Sequence, residues 1–151
     1  MNKAVPVAAL VVALLGACDD DEDIGPIGGE ADVVIWTADI FGLAPFQYIG
    51  GIADVAYELG TFDFGATAEI FGDTPGAVRP WHVRFGTCAG GGDIVGLETD
   101  YLPFVVDGAG GDRVSIIVPE PLDPLGLYHV TFSLSLDNPD VVIACGDLFL
   151  L

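Results

Sequence analysis

The stretch RPWHVRFGTC, residues 79–88, has the residue pattern of a strand that could carry metal chemistry on one face. Apolar residues alternate there with two polar ones, His82 and Arg84, so the two polar side chains share a face. Two residues span about 6.7 Å along a strand, and two imidazoles at these positions could bind one metal ion. Only His82 is an imidazole, because Arg84 carries a permanently charged guanidinium that cannot ligate a metal.

Other catalytic arrangements are incomplete in this chain. It has two histidines and no G-x-S-x-G motif, and Ser115, Ser133 and Ser135 fall in predicted strands, where a serine is usually a surface residue. The glycine-rich GTCAGGGD lacks the lysine and the following helix of a phosphate-binding loop. Among 23 acids, pairs such as Glu98 and Asp100 are expected by chance, so a glycosidase-like pair has no specific support.

β-Strands must position these residues. From residue 31 onward apolar and polar residues alternate, short segments rich in Gly, Pro, Asp and Asn separate the runs, and no segment has a helical period. The pattern predicts an all-β domain, 31–151, built as an antiparallel sandwich or barrel. Its eight predicted strands are residues 33–37, 52–59, 62–71, 79–85, 104–107, 113–119, 128–137 and 141–145.

Two of these strands have one apolar face. In the strand 62–71 this face carries Phe62, Phe64, Ala66, Ala68 and Ile70. In the strand 128–137 it carries Tyr128, Val130, Phe132, Leu134 and Leu136, and the opposite face carries polar residues that include His129, Thr131 and Ser133.

Residues 1–17 have the features of a secretory signal peptide. A single positive charge, Lys3, precedes an apolar run that is shorter than the roughly 20 residues of a membrane-spanning helix. The end of the run, LLGAC, resembles the bacterial lipobox, in which a peptidase cuts before a cysteine that has been diacylated on its thiol. We therefore expect Cys18 to anchor the mature chain to a membrane on the extracytoplasmic side of a bacterial cell envelope. The alternative is an ordinary signal peptide that leaves Cys18 unmodified.

The segment 18–30 is rich in acids and glycines and has no core-forming pattern, so we interpret it as a solvated tether. A calcium loop is a sharper alternative, since Asp19, Asp21, Asp23 and Glu30 have the spacing of ligands in such loops. Ile24 stands where that loop needs glycine, and no helical pattern flanks the segment. Calcium binding is therefore disfavoured.

The charge of the chain excludes whole classes of partner. The formal net charge is −19, and removal of a signal peptide that contains Lys3 brings it to −20. Such a surface repels phosphate backbones and anionic headgroups, so we expect no nucleic-acid partner. The membrane contact we expect is the lipid anchor alone.

Three cysteines in an exported chain leave one without a partner inside the chain. If Cys18 carries lipid, Cys88 and Cys145 remain as a pair, which an oxidising compartment would favour as a disulfide. Closing a loop of about 58 residues would stabilise the fold by roughly 4 kcal/mol. The alternative is a pair of buried free thiols.

Two segments together resemble a known family. WHVRFGTC and VVIACGDL are similar to the two hallmark segments of the copper–zinc superoxide dismutase superfamily, which carry a His-x-His pair followed by a cysteine, and an Ala-Cys-Gly whose cysteine bridges to the first. The resemblance covers residues 74–151 and is loose before that. It implies an eight-stranded Greek-key β-barrel and a disulfide between Cys88 and Cys145.

The resemblance also shows which family residues are missing. Arg84 stands at the second histidine of the pair and Ser133 at a third copper histidine, while Val142 stands at the arginine that guides superoxide. His129 lies four residues before Ser133, about 13 Å along a strand, far beyond a metal–nitrogen bond of about 2 Å. Residues 89–112 offer carboxylates where the family has zinc histidines.

We therefore expect no complete copper or zinc site and no cofactor. His82 is a vestigial ligand candidate, and Arg84 either excludes a second cation from the pocket or pairs with Asp93 or Asp147. The predicted function is that of a membrane-anchored, non-catalytic binding or structural domain. The alternatives are a superoxide dismutase or copper-binding protein whose site uses His82 with ligands from another subunit, and a plain envelope interaction module.

Overall fold

The structure, a computed structural model, describes residues 32–151, and these form an all-β domain. The predicted signal peptide, the tether and Cys18 lie outside the described residues. Within the described range the helical content is one 3₁₀ turn, Glu98–Asp100, and no helix there is long and apolar enough to cross a membrane. The strands are β1 Val33–Gly42, β2 Gly50–Glu58, β3 Phe64–Phe71, β4 Val78–Arg79, β5 Trp81–Phe85, β6 Phe104–Val105, β7 Asp112–Val118, β8 Tyr128–Ser135, β9 Asn138–Asp147 and β10 Phe149–Leu150.

These strands form one strongly curled antiparallel sheet and a two-stranded ribbon. The order in the main sheet is β5-β8-β9-β1-β2-β3-β7, and β10 pairs with β1. The ribbon pairs β4 with β6, and the Val105 N–H donates to Asp112 Oδ2 at 2.6 Å, which ties β6 to β7. Each of the eight predicted strands overlaps a strand of the structure.

The strand predicted over residues 79–85 is divided into β4 and β5. Pro80 separates them, because proline has no N–H to donate to a neighbouring strand and is confined to edges and breaks of a sheet. Its carbonyl still accepts a hydrogen bond from the Ser133 N–H at 2.8 Å. As a result, β4 pairs with β6, whereas β5 pairs with β8.

The hydrophobic core fills the inside of the curl. Phe64, Ala66, Ala68 and Ile70 share the buried face of β3, whereas Phe62, which was predicted on the same face, is 81% exposed. β3 begins only at Phe64, so the alternation that includes Phe62 continues into a turn. Leu136 is also exposed, because β8 ends at Ser135 and a tight turn leads to β9.

The polar face of β8 is buried near its centre, so the expectation of a surface position was wrong for Ser133. His129, Thr131 and Ser133 are at most 2% exposed. The covering segment, residues 86–103, passes over this region and along the free edge of β5. There the Val95 N–H donates to the Val83 carbonyl at 2.9 Å, so the segment satisfies part of an edge that would otherwise be unpaired.

Candidate functional site

The sequence-predicted site residues meet on the outer face of β5, β8 and β9. In one cross-strand row, His82 lies opposite Thr131, which lies opposite Cys145. In the next row, Arg84 lies opposite His129, which lies opposite Asp147. Because positions two apart on a strand share a face, both rows point the same way. Directly opposite residues are about 5 Å apart, so the rows form one polar patch.

Arg84 is held in this patch by neutral oxygen atoms. Its Nε donates to Thr131 Oγ1 at 3.1 Å, and its Nη1 donates to the Gly92 carbonyl at 3.1 Å. The expected pairing with Asp93 or Asp147 was wrong, since neither forms a salt bridge with Arg84 within residues 32–151. Asp147 Oδ1 instead accepts a hydrogen bond from the Cys88 N–H at 2.6 Å.

His82 is buried, with 1% of its surface exposed. The ring of Tyr101 packs edge-on against it, with the centroids 5.0 Å apart, and fills the space beside the imidazole. Burial lowers the pKa of His82 to about 4, with a further contribution from the positive charge of Arg84, so the imidazole is neutral at pH 7. Its Nδ1 has no hydrogen-bond partner among the described residues.

Ser133 occupies the place implied for a third histidine. It is fully buried beside Val142 of β9, and a register irregularity separates it from Phe132. Its Oγ finds no hydrogen-bond partner in the described part of the chain. A hydroxyl is a weak ligand for the soft or borderline metals that imidazole sites hold, so Ser133 does not replace the missing imidazole.

The donor set in this patch does not fit a copper–zinc centre. The chain has two histidines, and no group of three or more His, Cys, Asp or Glu side chains within residues 32–151 is arranged to hold a metal ion. Arg84 places a permanent positive charge one row from His82, and the ring of Tyr101 fills space beside the imidazole. The second imidazole on this face, His129, lies in the next row beside Arg84, and no third His, Cys, Asp or Glu in residues 32–151 completes a metal site with the two histidines.

The two cysteines join the covering segment to the sheet. The sulfur atoms of Cys88 and Cys145 are 2.00 Å apart, which is the distance of a disulfide bond, and the residues are 57 positions apart in the sequence. Cys88 lies at the start of the covering segment and Cys145 on β9. The bond therefore fixes the segment over the row that contains His82 and Thr131.

A pocket of about 230 Å³ opens between the covering segment and the outer face. Arg84, a residue that the sequence indicated, lies in the pocket wall. His129 and Gly92 also line the pocket, and neither was predicted as a site residue. His129 belongs to the polar alternation of β8 and carries no motif of its own. Burial lowers the pKa of His129, and the positive charge of Arg84 lowers it further. A backbone hydrogen bond with Gly86 and the negative charge of Asp147 act in the opposite direction, but they do not cancel the decrease. The pocket lining is Leu43, Arg84, Cys88, Gly91, Gly92, His129, Thr131, Asp140, Val142 and Cys145.

Comparisons with known proteins do not identify the chain. No protein-family model matches it, and no curated protein matches it.

Proposed function

We propose that this chain is a superoxide-dismutase-like domain without a complete copper or zinc site, which acts as a non-catalytic binding or structural lipoprotein of a bacterial cell envelope. The observation that carries the proposal is the position of Arg84. Its guanidinium is fixed by Thr131 and Gly92 where the resemblance implies the second histidine of a copper pair. A fixed cation with no lone pair repels a metal ion and cannot bind it.

The strand order supports the Greek-key part of this proposal. β1, β2 and β3 are consecutive in the chain and adjacent in the sheet, and a much later strand, β9, returns beside β1. A return of this kind is the signature of a Greek key. The link from β4 through β6 to β7 also brings the two ends of the curled sheet toward closure. The disulfide joins the two segments that carry the resemblance.

The sequence supports the envelope part of the proposal. The apolar run that ends at LLGAC and the acidic segment after it support Cys18 as a lipoprotein processing site. A disulfide between Cys88 and Cys145 agrees with an extracytoplasmic location, because such bonds persist in oxidising compartments. A diacylated cysteine with a further chain would give a durable anchor, whereas one chain alone binds weakly.

Metal content and activity of the full chain test the proposal. The chain is expressed with its signal peptide in a bacterium grown with added copper and zinc, purified from the membrane, and assayed for metal per chain and for superoxide dismutation. We expect metal far below one ion per chain and activity equal to that of the His82→Ala variant. Copper near one ion per chain, lost in His82→Ala, would overturn the proposal.

Intact mass tests the anchor independently. We expect the mature chain to begin at Cys18, to carry the mass of its acyl groups, and to have two hydrogens fewer than the fully reduced form. The Cys18→Ala variant should lose the acyl mass and leave the membrane fraction. Unmodified Cys18 in the mature wild-type chain would refute the lipoprotein assignment and leave the domain assignment standing.

One observation favours the alternative of a metal site shared between subunits. Nδ1 of His82 has no partner among the described residues, as expected for a ligand that awaits its metal. However, the imidazole is 1% exposed and packed against Tyr101, so a ligand from another chain cannot approach it without displacing the covering segment. The metal measurement above decides between the two functions.

A further inference from the structure

Arg84 differs from the other arginines in the described part of the chain, residues 32–151. Arg79 pairs with Asp73 at 2.6 Å, and Arg113 lies 3.9 Å from Glu69. No carboxylate in this range forms a salt bridge with Arg84, although the range is strongly acidic. Its guanidinium has five N–H donors, and two of them are used, on Thr131 and Gly92. Three donors are therefore free for a ligand.

These free donors belong to a residue that lines the 230 Å³ pocket, and the imidazole of His129 lines the same pocket. The pocket far exceeds the roughly 15 Å³ that a single water needs, so a small organic molecule fits.

We propose that the pocket between the covering segment and β8 binds a small carboxylate, held by Arg84 and His129. The planar guanidinium fork matches the two oxygens of a carboxylate and gives short, charge-assisted hydrogen bonds. The imidazole of His129, which also lines the pocket, adds a third donor when it is protonated. Leu43, Val142 and the disulfide offer an apolar wall to the carbon end of the ligand. This inference rests on the proposed function, because it assigns a ligand to the metal-free form of that site.

The carboxylate class follows from the charges around the pocket. Arg84 on β5 and Asp140 and Asp147 on β9 are the charged groups near His129, and His82 in the adjacent row stays neutral at pH 7. Asp140 lines one side, so a ligand with negative charge at both ends would be repelled, and a monocarboxylate is preferred. Because bound carboxylate favours protonated His129, the affinity rises as the pH falls.

Acetate binding to the full, lipidated chain in detergent tests the proposal. Sodium acetate is titrated at constant ionic strength at pH 7.5 and pH 5.5 and followed by the amide and imidazole NMR signals. We expect saturable shifts at residues of the pocket and an affinity at least about threefold higher at pH 5.5. Arg84→Gln should weaken binding at least about tenfold, and Arg84→Lys should weaken it less, because it keeps the charge without the fork.

Arg113→Gln provides the matched control, since it removes the same charge from an exposed position far from the pocket lining. It should leave the acetate affinity unchanged. His129→Gln should weaken acetate binding more at pH 5.5 than at pH 7.5, so that most of the pH dependence is lost. No saturable binding, equal losses in Arg84→Gln and Arg113→Gln, or equal competition by chloride would each overturn the carboxylate site. Those results leave the metal content untouched, so they are distinguishable from failure of the proposed function.

Discussion

The ring of Tyr101 lies edge-on against the ring of His82, with the centroids 5.0 Å apart and an angle of 67° between the planes. The Tyr101 hydroxyl donates to the Val95 carbonyl at 2.8 Å, so the covering segment itself holds the ring in place. The site where the resemblance implies a metal ligand is thus packed as a protein interior. That packing, together with Arg84, sets the protonation state of His82.

The stability of the domain should decrease as the pH is lowered, because of His82. Its pKa is about 4 in the folded state and about 6.5 when unfolded, so between these values the unfolded chain binds the extra proton. The free energy of unfolding therefore decreases as the pH falls from 6.5 to 4, by on the order of 3 kcal/mol from this residue. His129 shifts in the same direction. Urea unfolding at a series of pH values measures the slope.

His82→Gln supplies the comparison, because it removes the titration and keeps a polar side chain of similar size. Its free energy of unfolding should vary less between pH 6.5 and pH 4 than that of the wild type. The quantity to compare is the change in the free energy of unfolding per pH unit in the two proteins, because His82→Gln can also change the absolute stability. Parallel curves for the two proteins would show that His82 is protonated in the folded state at its ordinary pKa.

The buried ion pair between Asp73 and Arg79 should contribute strongly to the stability of the fold. Arg79 Nε donates to Asp73 Oδ2 at 2.6 Å and Nη2 to Oδ1 at 2.9 Å, and Nη1 donates to the Leu134 carbonyl. Burial raises the pKa of Asp73, but the hydrogen bonds from Arg79 and Thr74 outweigh it, so the pKa lies below its ordinary value. Asp73→Asn should cost about 3–5 kcal/mol in urea unfolding, because it leaves a buried charge unpaired.

Arg113→Met is the matched test of an exposed ion pair. Arg113 lies 3.9 Å from Glu69, and their side chains are 64% and 40% exposed. Solvent screens such a pair, so we expect a change below about 0.5 kcal/mol. A loss in Asp73→Asn as small as this one would contradict the structural role assigned to the buried pair.

Removing the disulfide should destabilise the domain by about 4 kcal/mol. The bond closes a loop between residues 57 apart, and its loss gives the unfolded chain that much more freedom. The double variant Cys88→Ala/Cys145→Ala should therefore unfold at lower urea concentration than the oxidised wild type. Its m-value should also rise, because the unfolded state without the link exposes more surface. A loss under about 1 kcal/mol would mean that the link adds little.

Gly92 should be needed for both the covering segment and the pocket. A Cβ at this position would lie 1.9 Å from the Phe85 carbonyl oxygen, and the Gly92 carbonyl accepts the Arg84 hydrogen bond. Gly92→Ala therefore forces the segment away from β5, and we expect a loss of about 1–3 kcal/mol in urea unfolding with a weaker acetate affinity. Gly90→Ala is the control, since its Cβ would be 3.3 Å from Thr87 Oγ1 and Gly90 does not line the pocket. Equal affinity in the two variants would count against the pocket as the binding site.

Much of the fold could be predicted because it depends on local alternation. Turn-forming residues mark the strand ends, and period-two patterns identify the buried face of β3. The length of β1 was underestimated, since its second half is less regular in sequence and is held by pairing with β2 and β9. β10 was missed because two residues carry too little pattern.

The site could be predicted only in part, because it depends on contacts distant in sequence. The alternation in β8 assigns His129 to the polar face of the strand, but it does not show that this face is buried under the covering segment. Nothing in the composition of residues 86–103 indicates that Tyr101 would reach His82, about twenty residues earlier. Arg84 was identified as a block to metal binding, but its partners, Thr131 and Gly92, follow from strand register and loop closure.

The covering segment is bonded to the rest of the domain at several points. The disulfide holds its start, the Val95 N–H pairs with β5, and the indole of Trp81 donates to the Leu102 carbonyl at 2.8 Å. A stretch of this length with little regular structure ordinarily opens by itself and exchanges its amide hydrogens quickly. Here the amide of Val95 should exchange with deuterium as slowly as those of the central strands, because exposing it requires the whole domain to unfold.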